Sequence, residues 1–287
     1  MPATNSSDIW RFASLGSGSR GNGTLISKQR ASGLDTSCFL IDCGFSLKQS
    51  EQRLERLGVL PETLSAILVT HEHSDHIQGV LPLAKKYAIP VYCSHGTSRA
   101  SHRRGSRQGL EKNNSLRNSA DITLNIVEGE RRIEIGEVWV QPVSVPHDAR
   151  EPLQFILGDD SVSIGVLTDI GHITPHVVDS YTGCDALLVE SNHDVQLLEN
   201  SNYPGHLIQR VRGLHGHLSN VQTAEFLASV LHPKLQHVVI GHMSEQNNTM
   251  ECVESAFADI TEKLNNLTFA SQQEGTGWIE VYPPSSC

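Results

Sequence analysis

The chain has 287 residues, of which 38% are hydrophobic, and its 22 Lys and Arg stand against 32 Asp and Glu, for a formal charge of −10. This size and composition are typical of a soluble globular protein, and the negative charge argues against general affinity for nucleic acid or an anionic membrane, although an enzyme with local positive potential could still act on nucleic acid. The sequence contains no apolar signal region or bilayer-spanning run, and its six scattered Cys form no C-x-x-C pair, so we expect a cytoplasmic protein with buried free thiols.

The first two predicted strands surround a glycine-rich turn. Residues 12–15 and 24–27 have strand-like patterns, and residues 16–23 between them read Gly-Ser-Gly-Ser-Arg-Gly-Asn-Gly. The turn lacks the Gly-Lys-Ser/Thr ending of a phosphate-binding P-loop, so it predicts a tight hairpin or a close backbone approach. Its amides could also contact a phosphate, which makes Asn22 a candidate substrate-binding residue.

A third predicted strand, over residues 38–42, ends at Asp42 and precedes a predicted helix over residues 46–57. Asp42 is either a metal ligand or a residue that holds a neighbouring metal-binding loop through hydrogen bonds. We favour the second role.

The densest group of chemically active residues follows the apolar run Ala66–Val69. That run predicts a buried strand, and residues 77–87 have helical apolar spacing, so the residues between them form a strand-to-helix loop at the carboxyl edge of a sheet. The loop carries four ligand-type side chains, those of His71, His73, Asp75 and His76. Imidazole and carboxylate without thiolate suit zinc, manganese or iron, and this density is rare in a merely solvated loop. The loop therefore predicts a metal site, with room for two ions.

The rest of the chain alternates predicted strands, polar strand ends and helices, which is an α/β pattern that suits two packed sheets. The predicted strands cover residues 91–94, 122–126, 138–146, 153–157, 161–167, 186–190 and 237–242. The predicted helices cover residues 221–231 and a segment that ends near 264. One dense basic run, residues 99–107, is either a solvated surface or a patch that grips a polyanion.

Three later strand ends add metal-type side chains, those of His147, Asp169 and His242. Taken singly, each histidine would more often be structural, but their positions at successive strand ends favour ligands.

The sequence His-x-His-x-Asp-His between a strand and a helix resembles the signature of the metallo-β-lactamase superfamily, and the later motifs follow in a similar order. The resemblance implies an α/β fold, a four-layer αββα sandwich with the site at the sheet edges. We expect one domain over residues 1–287, built from two similar αβ halves.

The same resemblance implies two metal ions, zinc or manganese. It assigns His71, His73 and His147 to one ion, Asp75, His76 and His242 to the other, and Asp169 to a bridge between them. A hydroxide that bridges the ions would be the nucleophile, because two cations depress the pKa of water.

Two further motifs bear on the substrate. Leu-Val-Glu190-Ser-Asn and Gly-His217-Leu-Ser-Asn resemble a motif pair in phosphodiesterases such as the tRNA 3′-processing enzymes. This implies that His217, polarised by Glu190, protonates the leaving alkoxide, which leaves poorly at neutral pH. The alternative is that His217 is a capping or core residue before the next helix. Asp75, Glu190 and His217 are thus the expected catalytic residues.

As a set, the motifs are similar to those of the YycJ/WalJ family over about residues 12–270. They include the glycine-rich turn, Val-Pro-His-Asp-Ala, Glu-Ser-Asn-His-Asp, Tyr203-Pro and His-Met-Ser-Glu-Gln-Asn-Asn. The resemblance implies a cytoplasmic bacterial exonuclease that degrades DNA from the 5′ end and is linked to mismatch repair. The interval between Glu190 and His242 is too short for an inserted β-CASP domain. We therefore expect surface loops, with Asn247 and Asn248, to position the strand.

The expected function is metal-dependent hydrolysis of DNA, with RNA as a further possible substrate, to give 5′-phosphate products. Two alternatives share the fold: a thioesterase or lactonase of the glyoxalase II type, which would not use Glu190 and His217, and an endonuclease like the tRNA 3′-processing enzymes. A non-catalytic DNA-binding or regulatory protein with structural metals is the alternative from another class.

Overall fold

The computed structural model describes residues 8–30, 35–100, 116–119 and 121–283. Most of the basic run, from residue 101 to residue 107, lies outside the described residues, so its polyanion-binding role stays a prediction. Within the described ranges, fourteen strands form two sheets of seven strands each. In chain order these strands are β1 (Ile9–Gly16), β2 (Gly23–Gln29), β3 (Asp35–Ile41), β4 (Ala66–Val69), β5 (Val91–Cys93), β6 (Leu124–Ile126), β7 (Ile133–Ile135), β8 (Val138–Ser144), β9 (Leu153–Gly158), β10 (Ser163–Leu167), β11 (Ala186–Glu190), β12 (His237–Gly241), β13 (Leu267–Phe269) and β14 (Ile279–Val281).

Short helices connect the strands. Those in the described ranges are α1 (Leu47–Arg56), α2 (Ser74–Ile77), α3 (Val80–Tyr87), α4 (His95–Arg99), α5 (Pro175–Tyr181), α6 (Val195–Glu199), α7 (Gly205–Val211), α8 (Asn220–Val230), α9 (Met250–Ala256) and α10 (Ala258–Thr261). Ser46 and Ser219 begin α1 and α8 through capping boxes, each with a Gln three residues later. Of the helices in the described part of the chain, none is both long and apolar enough to cross a bilayer.

The strand order brings the polar strand ends together. The first sheet has the order β14-β1-β2-β3-β4-β5-β6, and the second has the order β13-β12-β11-β10-β9-β8-β7. The strands β3 to β6 are parallel, as are β10 to β13, and the helices provide the crossovers that parallel neighbours need. Because the carboxyl ends of parallel strands meet at one edge of a sheet, the loops after β4, β10, β11 and β12 can build a common site.

Apolar side chains fill three interfaces, one between the two sheets and one between each sheet and its helices. Phe12 of β1 and Phe155 of β9 belong to the cluster between the sheets. Leu83 of α3 packs on the outer face of the first sheet, and Phe226 of α8 packs on the outer face of the second. The expected four-layer αββα sandwich is therefore confirmed.

Some predicted elements differ in detail. The end of the ligand loop, predicted as a loop, forms the short helix α2, and the predicted helix over residues 77–87 is α3, which begins at Val80. Gly79 separates the two helices, and an added Cβ there would lie 2.2 Å from the backbone oxygen of Phe45. The helix predicted to end near residue 264 is two short helices, α9 and α10. The three-residue strands β7, β13 and β14 have no counterpart in the sequence predictions.

Candidate active site

The ligand loop after β4 is held against the glycine-rich turn and the turn after β3. β4 is buried between β3 and β5, and the loop runs from it into α2. The backbone N of Asn22 donates to Asp75 O, and that of Cys43 donates to His76 O, both at 2.7 Å. Gly44 permits this approach, because a Cβ at that position would lie 1.7 Å from Asp75 O. Close backbone packing therefore fixes the path of the loop.

Three histidines bring ring nitrogens together at one end of the cluster. His71 Nε2 and His147 Nε2 lie 3.0 Å and 3.3 Å from His73 Nδ1. In His71 and His147, the second ring nitrogen, Nδ1, points away from the group. His147 Nδ1 lies 3.0 Å from Gly216 O, and His71 Nδ1 lies 2.9 Å from Thr70 Oγ1. Outward bonds of this kind orient the rings and leave the inner nitrogens free to bind a metal.

Asp75, His76 and His242 form a second group, and Asp169 lies between the two groups. His76 Nε2 and His242 Nε2 lie 3.6 Å and 3.9 Å from Asp75 Oδ2. Asp169 Oδ2 lies 3.0 Å from His76 Nε2, and Asp169 Oδ1 lies 3.8 Å from His147 Nε2. Asp169 thus presents one oxygen to each group, as a bridging ligand would.

Asp42 contacts the cluster through His76 and Thr70. Its Oδ2 lies 2.7 Å from His76 Nδ1, and its carboxylate accepts hydrogen bonds from the backbone N and the hydroxyl of Thr70 at 2.8 Å and 2.7 Å. Among the described residues, Asp42 belongs to none of the groups of three whose ligand atoms converge. This placement supports the interpretation that Asp42 holds the loop and orients His76.

Three residues that follow strand ends have left-handed backbone conformations. The φ angles of Asp42, Asp169 and His242 are 60°, 54° and 50°. Such a conformation costs a non-glycine residue about 1–3 kcal/mol and persists only where the surrounding fold enforces it. At His242 the backbone N donates to Ser17 Oγ at 2.7 Å, which helps to hold the bend. Two of these bends carry side chains of the cluster, those of Asp169 and His242, and the third carries Asp42, which contacts His76.

The electrostatics of the cluster favour positive charge beside its carboxylates. Burial disfavours the charged form of His76, but the neighbouring carboxylates, Asp169 first, outweigh burial and hold its pKa well above the ordinary value. Burial likewise opposes ionisation of Asp169, yet the imidazoles of His242 and His76 hold its pKa well below the ordinary value. By contrast, burial and the neighbouring imidazoles lower the pKa of His71, so that this ring stays neutral, as a metal ligand must.

The donor set fits divalent metal. If the three inward ring nitrogens of His71, His73 and His147 are unprotonated, their lone pairs face one another and repel. A cation bound between them would remove that repulsion. Asp169 Oδ2 is buried and, among the described residues, accepts no well-aligned hydrogen bond, although His76 Nε2 approaches it. Within each candidate group the ligand atoms lie within 4.8 Å of one another. Together these groups contain His217 and the seven residues predicted from the sequence as ligands, which are His71, His73, Asp75, His76, His147, Asp169 and His242.

Glu190 and His217 form a hydrogen-bonded pair beside this cluster. Glu190, fully buried at the end of β11, places Oε2 3.0 Å from His217 Nδ1. Its Oε1 accepts from the backbone N of Ile170 at 2.8 Å and of Leu218 at 3.2 Å. Burial opposes its charge, but contacts from His217 and His242 outweigh burial and lower the pKa of Glu190. Glu190 is thus a fixed carboxylate, and its bond to Nδ1 leaves His217 Nε2 free for a substrate.

A cavity with a volume of about 410 Å³ adjoins the cluster. Its lining includes His73, Asp75, Asp169, His217 and His242 from the cluster, and Ser19, Tyr203, Leu207, Arg210 and Asn247 around it. The volume is in the range of small-ligand pockets.

The three asparagines expected to contact substrate differ in their surroundings. Asn22 is buried, and its Nδ2 lies 3.0 Å from His76 Nε2. The buried amide of Asn248 bonds with that of Asn220 at 2.8 Å. Asn247 is only 2% exposed but lines the cavity, and among the described residues its Oδ1 has no hydrogen-bond partner. Asn247 is therefore the best placed of the three to meet a ligand.

The sequence patterns assign no role to Arg210 and Asp148, which also line the cavity, and α7, which carries Arg210, is not predicted. Arg210 Nε bonds with Asp148 Oδ2, and Asp148 Oδ1 lies 3.4 Å from His147 Nε2. For Tyr203, the Tyr-Pro motif is a signal in the sequence, because the proline restricts the backbone of the residue before it to extended conformations. A lone arginine in an unrecognised helix gives no such signal.

Comparisons with known proteins agree with this fold. The family model of the beta-lactamase superfamily domain matches residues 38–243. Exodeoxyribonuclease WalJ of Streptococcus pneumoniae is 32% identical over 242 residues, which are 84% of this chain and 84% of that protein. Exodeoxyribonuclease YycJ of Bacillus anthracis is 30% identical over 253 residues, 88% of this chain and 89% of that protein. The metallo-beta-lactamase fold protein YhfI of Bacillus subtilis superposes with a TM-score of 0.67 at 14% identity over 96% of this chain and 100% of that one, which shows a shared fold.

Proposed function

The chain belongs to the beta-lactamase superfamily and, within it, to the family of the WalJ and YycJ exodeoxyribonucleases, and from this membership we propose that it is a metal-dependent exodeoxyribonuclease. Its reaction is the hydrolysis of phosphodiester bonds in DNA. We further propose that it degrades DNA from the 5′ end and leaves a 5′-phosphate on the shortened strand.

The observation that carries this proposal is the Glu190–His217 pair beside the candidate metal cluster. An alkoxide is a poor leaving group at neutral pH, so phosphodiester cleavage needs a proton donor on the leaving side. His217 lines the cavity, and Glu190 holds its Nδ1 at 3.0 Å. A thioesterase has less use for such a donor, because a thiolate is far less basic than an alkoxide.

The residues of the chain divide the work between orientation and proton transfer. The ionised, buried carboxylate of Glu190 accepts a hydrogen bond from His217 Nδ1 and fixes the orientation of that ring. His217 Nε2 then gives its proton to the 3′ oxygen as the bond between that oxygen and phosphorus breaks. The oxygen of the attacking water bonds to phosphorus, so the phosphate stays on the 5′ end of the remaining strand.

We propose that two divalent ions, zinc or manganese, occupy the cluster. His71, His73 and His147 would hold one ion, Asp75, His76 and His242 the other, and Asp169 both. When bound, such ions stabilise charge on the phosphate oxygens and lower the pKa of the attacking water.

The proposal is tested with 5′-labelled duplex and single-stranded DNA, incubated with protein reconstituted with zinc or with manganese. We expect release of the labelled mononucleotide, and we expect Asp169→Ala to abolish it, because that variant lacks the bridging carboxylate. Asp160→Ala, a change at an exposed aspartate in the β9–β10 turn, is the matched control and should keep full activity.

Parallel assays with a tRNA precursor and with a thioester distinguish the alternatives. Turnover of the thioester alone would support a small-molecule hydrolase, and internal cleavage of the precursor would support an endonuclease. Equal release by wild type and Asp169→Ala, or no release with either metal, contradicts the proposal.

We place this activity in the cytoplasm. The five cysteines among the described residues are free thiols, and four of them are buried, which is usual in a reducing compartment. The link to mismatch repair that the family resemblance implies stays a prediction.

A further inference from the structure

The nucleotide released in the proposed reaction must lie on the His217 side of the cavity. His217 protonates the leaving 3′ oxygen, and that oxygen belongs to the nucleotide on the 5′ side of the cleaved bond. For a 5′ exonuclease this is the terminal nucleotide of the strand. The inference below therefore rests on the proposed function, and the residues next to His217 decide what holds this nucleotide.

One side of the cavity is fixed next to His217 by backbone packing. The backbone N of His217 donates to Val211 O, at the end of α7, at 2.8 Å. Gly216 lies so close to the same carbonyl that an added Cβ would be 2.1 Å from it. A displacement of α7 would break these contacts. We call the three side chains that line the cavity here, those of Tyr203, Leu207 and Arg210, the α7 wall.

Tyr203 supplies an aromatic ring to the α7 wall. It is half-buried, and among the described residues its ring contacts no other ring or cation and its hydroxyl makes no hydrogen bond. Pro204, the N-cap of α7, restricts the backbone of Tyr203 to extended conformations. The ring is thus held at the cavity by a stiff segment, and the described residues give it no ring, cation or hydroxyl partner.

Arg210 supplies a positive charge on the α7 wall. It is the one Lys or Arg among the described residues that line the cavity, whose lining also includes Asp75, Asp148 and Asp169. Its Nε bonds with Asp148, and a guanidinium has two further nitrogens that can donate to a phosphate. Leu207, one turn before it, adds an aliphatic surface.

We propose that the α7 wall is the binding site for the 5′-terminal nucleotide and that its base stacks on Tyr203. Stacking on an aromatic ring tolerates every base, which suits an enzyme that must accept each nucleotide in turn. The wall combines this ring with an aliphatic side chain for the base and sugar and with a cation for the backbone. Among the described residues, no other Phe, Tyr or Trp side chain lines the cavity.

Two duplexes that differ only in their first nucleotide test this proposal. One begins with thymidine and the other with an abasic tetrahydrofuran residue, and both carry a 3′ label so that the first cleavage is resolved. We expect wild type to have the lower KM for the thymidine duplex. Tyr203→Ala should raise that KM about tenfold with little change in kcat, because base stacking contributes roughly that factor. The same variant should leave the KM for the abasic duplex unchanged.

Two variants serve as controls. Tyr203→Phe keeps the ring and should behave as wild type on both duplexes. Tyr282→Ala removes a tyrosine that is 49% exposed, lies after β14 and is hydrogen-bonded to Gln236, just before the start of β12; it should change neither KM.

The outcomes separate this inference from the proposed function. Equal KM values for the two duplexes with wild type overturn the inference without reference to any variant. An equal loss on both duplexes in Tyr203→Ala assigns the ring a structural role and also overturns it. Failure of wild type to cleave either duplex contradicts the proposed exonuclease activity itself.

Discussion

His217 has contacts that fit two different roles. Its Nδ1 lies 3.0 Å from Glu190 Oε2, which suits a proton donor, but it also lies 3.7 Å from Asp169 Oδ1. With Asp169 and His242, His217 forms a group that could hold a metal ion. The buried carboxylate of Glu190 makes the closer contact and occupies this nitrogen. The donor role therefore agrees better with the geometry.

We predict that His217→Ala lowers turnover on DNA about 100-fold or more while the metal content of the protein stays unchanged, because proton donation contributes roughly this factor. Single-turnover cleavage assays and elemental analysis of the purified variant measure the two quantities. His176→Ala, at a half-exposed histidine of α5 whose ring contacts Glu130, is the matched control and should keep both at wild-type levels. Loss of metal together with turnover would instead make His217 a ligand.

At the level of single residues, the candidate ligands are easier to predict than the candidate substrate contacts. His71 and His76 stand out because ligand-type residues crowd into one loop, and neighbouring strand ends bring Asp169 and His242 to the same place. Asn248 sits in an equally distinctive motif, yet its amide bonds inward. Sequence spacing predicts which residues approach a site, whereas the direction of a polar side chain depends on partners from other elements.

The β9–β10 hairpin ties the second sheet to the first through Asp159. Asp159 Oδ2 accepts from Trp10 Nε1 at 3.1 Å and lies 2.8 Å from Lys28 Nζ, and these partners belong to β1 and β2. Asp159 Oδ1 accepts from the backbone N of Ser161 at 2.8 Å, which shapes the turn. Burial opposes the charge of Asp159, but these contacts outweigh burial and hold its pKa well below the ordinary value.

We predict that Asp159→Asn lowers the free energy of unfolding by about 2 kcal/mol at pH 7. The asparagine oxygen can keep the bonds within the turn, but its NH₂ group would face two donors, Trp10 Nε1 and Lys28 Nζ. Urea unfolding measures the change. Asp160→Asn, at the exposed neighbour in the same turn, should leave the free energy nearly unchanged.

The pH dependence of this loss gives a second measurement. Because the folded-state pKa of Asp159 is lowered, its stabilisation is complete above the ordinary value of 3.8 and disappears as the pH falls through the folded-state value. The difference between wild type and Asp159→Asn should thus be full at pH 7 and shrink below about pH 4. A difference of constant size from pH 7 to pH 3 would contradict the assigned role of the carboxylate.

At the level of elements, fully buried strands are easier to predict than short edge strands: of the four edge strands among the described residues, only β6 has a counterpart in the sequence predictions. β4 and β11 have the predicted bounds, because β4 is a continuous apolar run and β11 is apolar up to Glu190, its last residue. β7, β13 and β14 have three residues each, too few to show a period, and they form because a partner strand supplies hydrogen bonds.

The two sheets are not independent halves, because the end of the chain returns to the beginning. β14 pairs with β1, with Val281 opposite Trp10, although most strands of the first sheet precede residue 127. Val281 is buried in the cluster between the sheets. Trp278, just before β14, donates from Nε1 to Leu57 O at 2.9 Å. We therefore propose that both halves fold as one domain, which β14 completes.

We predict that a chain ending at Trp278, without β14, has a melting temperature lower by about 10 °C, since it loses the burial of Val281 and Ile279, worth about 3 kcal/mol. The edge of β1 would also lose its partner strand, and an unpaired edge promotes association between chains. Thermal unfolding and light scattering measure the two effects.

The matched control is a chain that ends at Pro283 and so keeps every described residue. It should melt with the full-length protein and show no increase in association. If the two truncated chains melt at the same temperature, β14 does not complete a shared core, and the interpretation of one domain closed by its last strand is wrong. If only the shorter chain is destabilised and its loss of DNA cleavage follows the loss of folded protein, the last strand supports the active site through the common core, from the far end of the sequence.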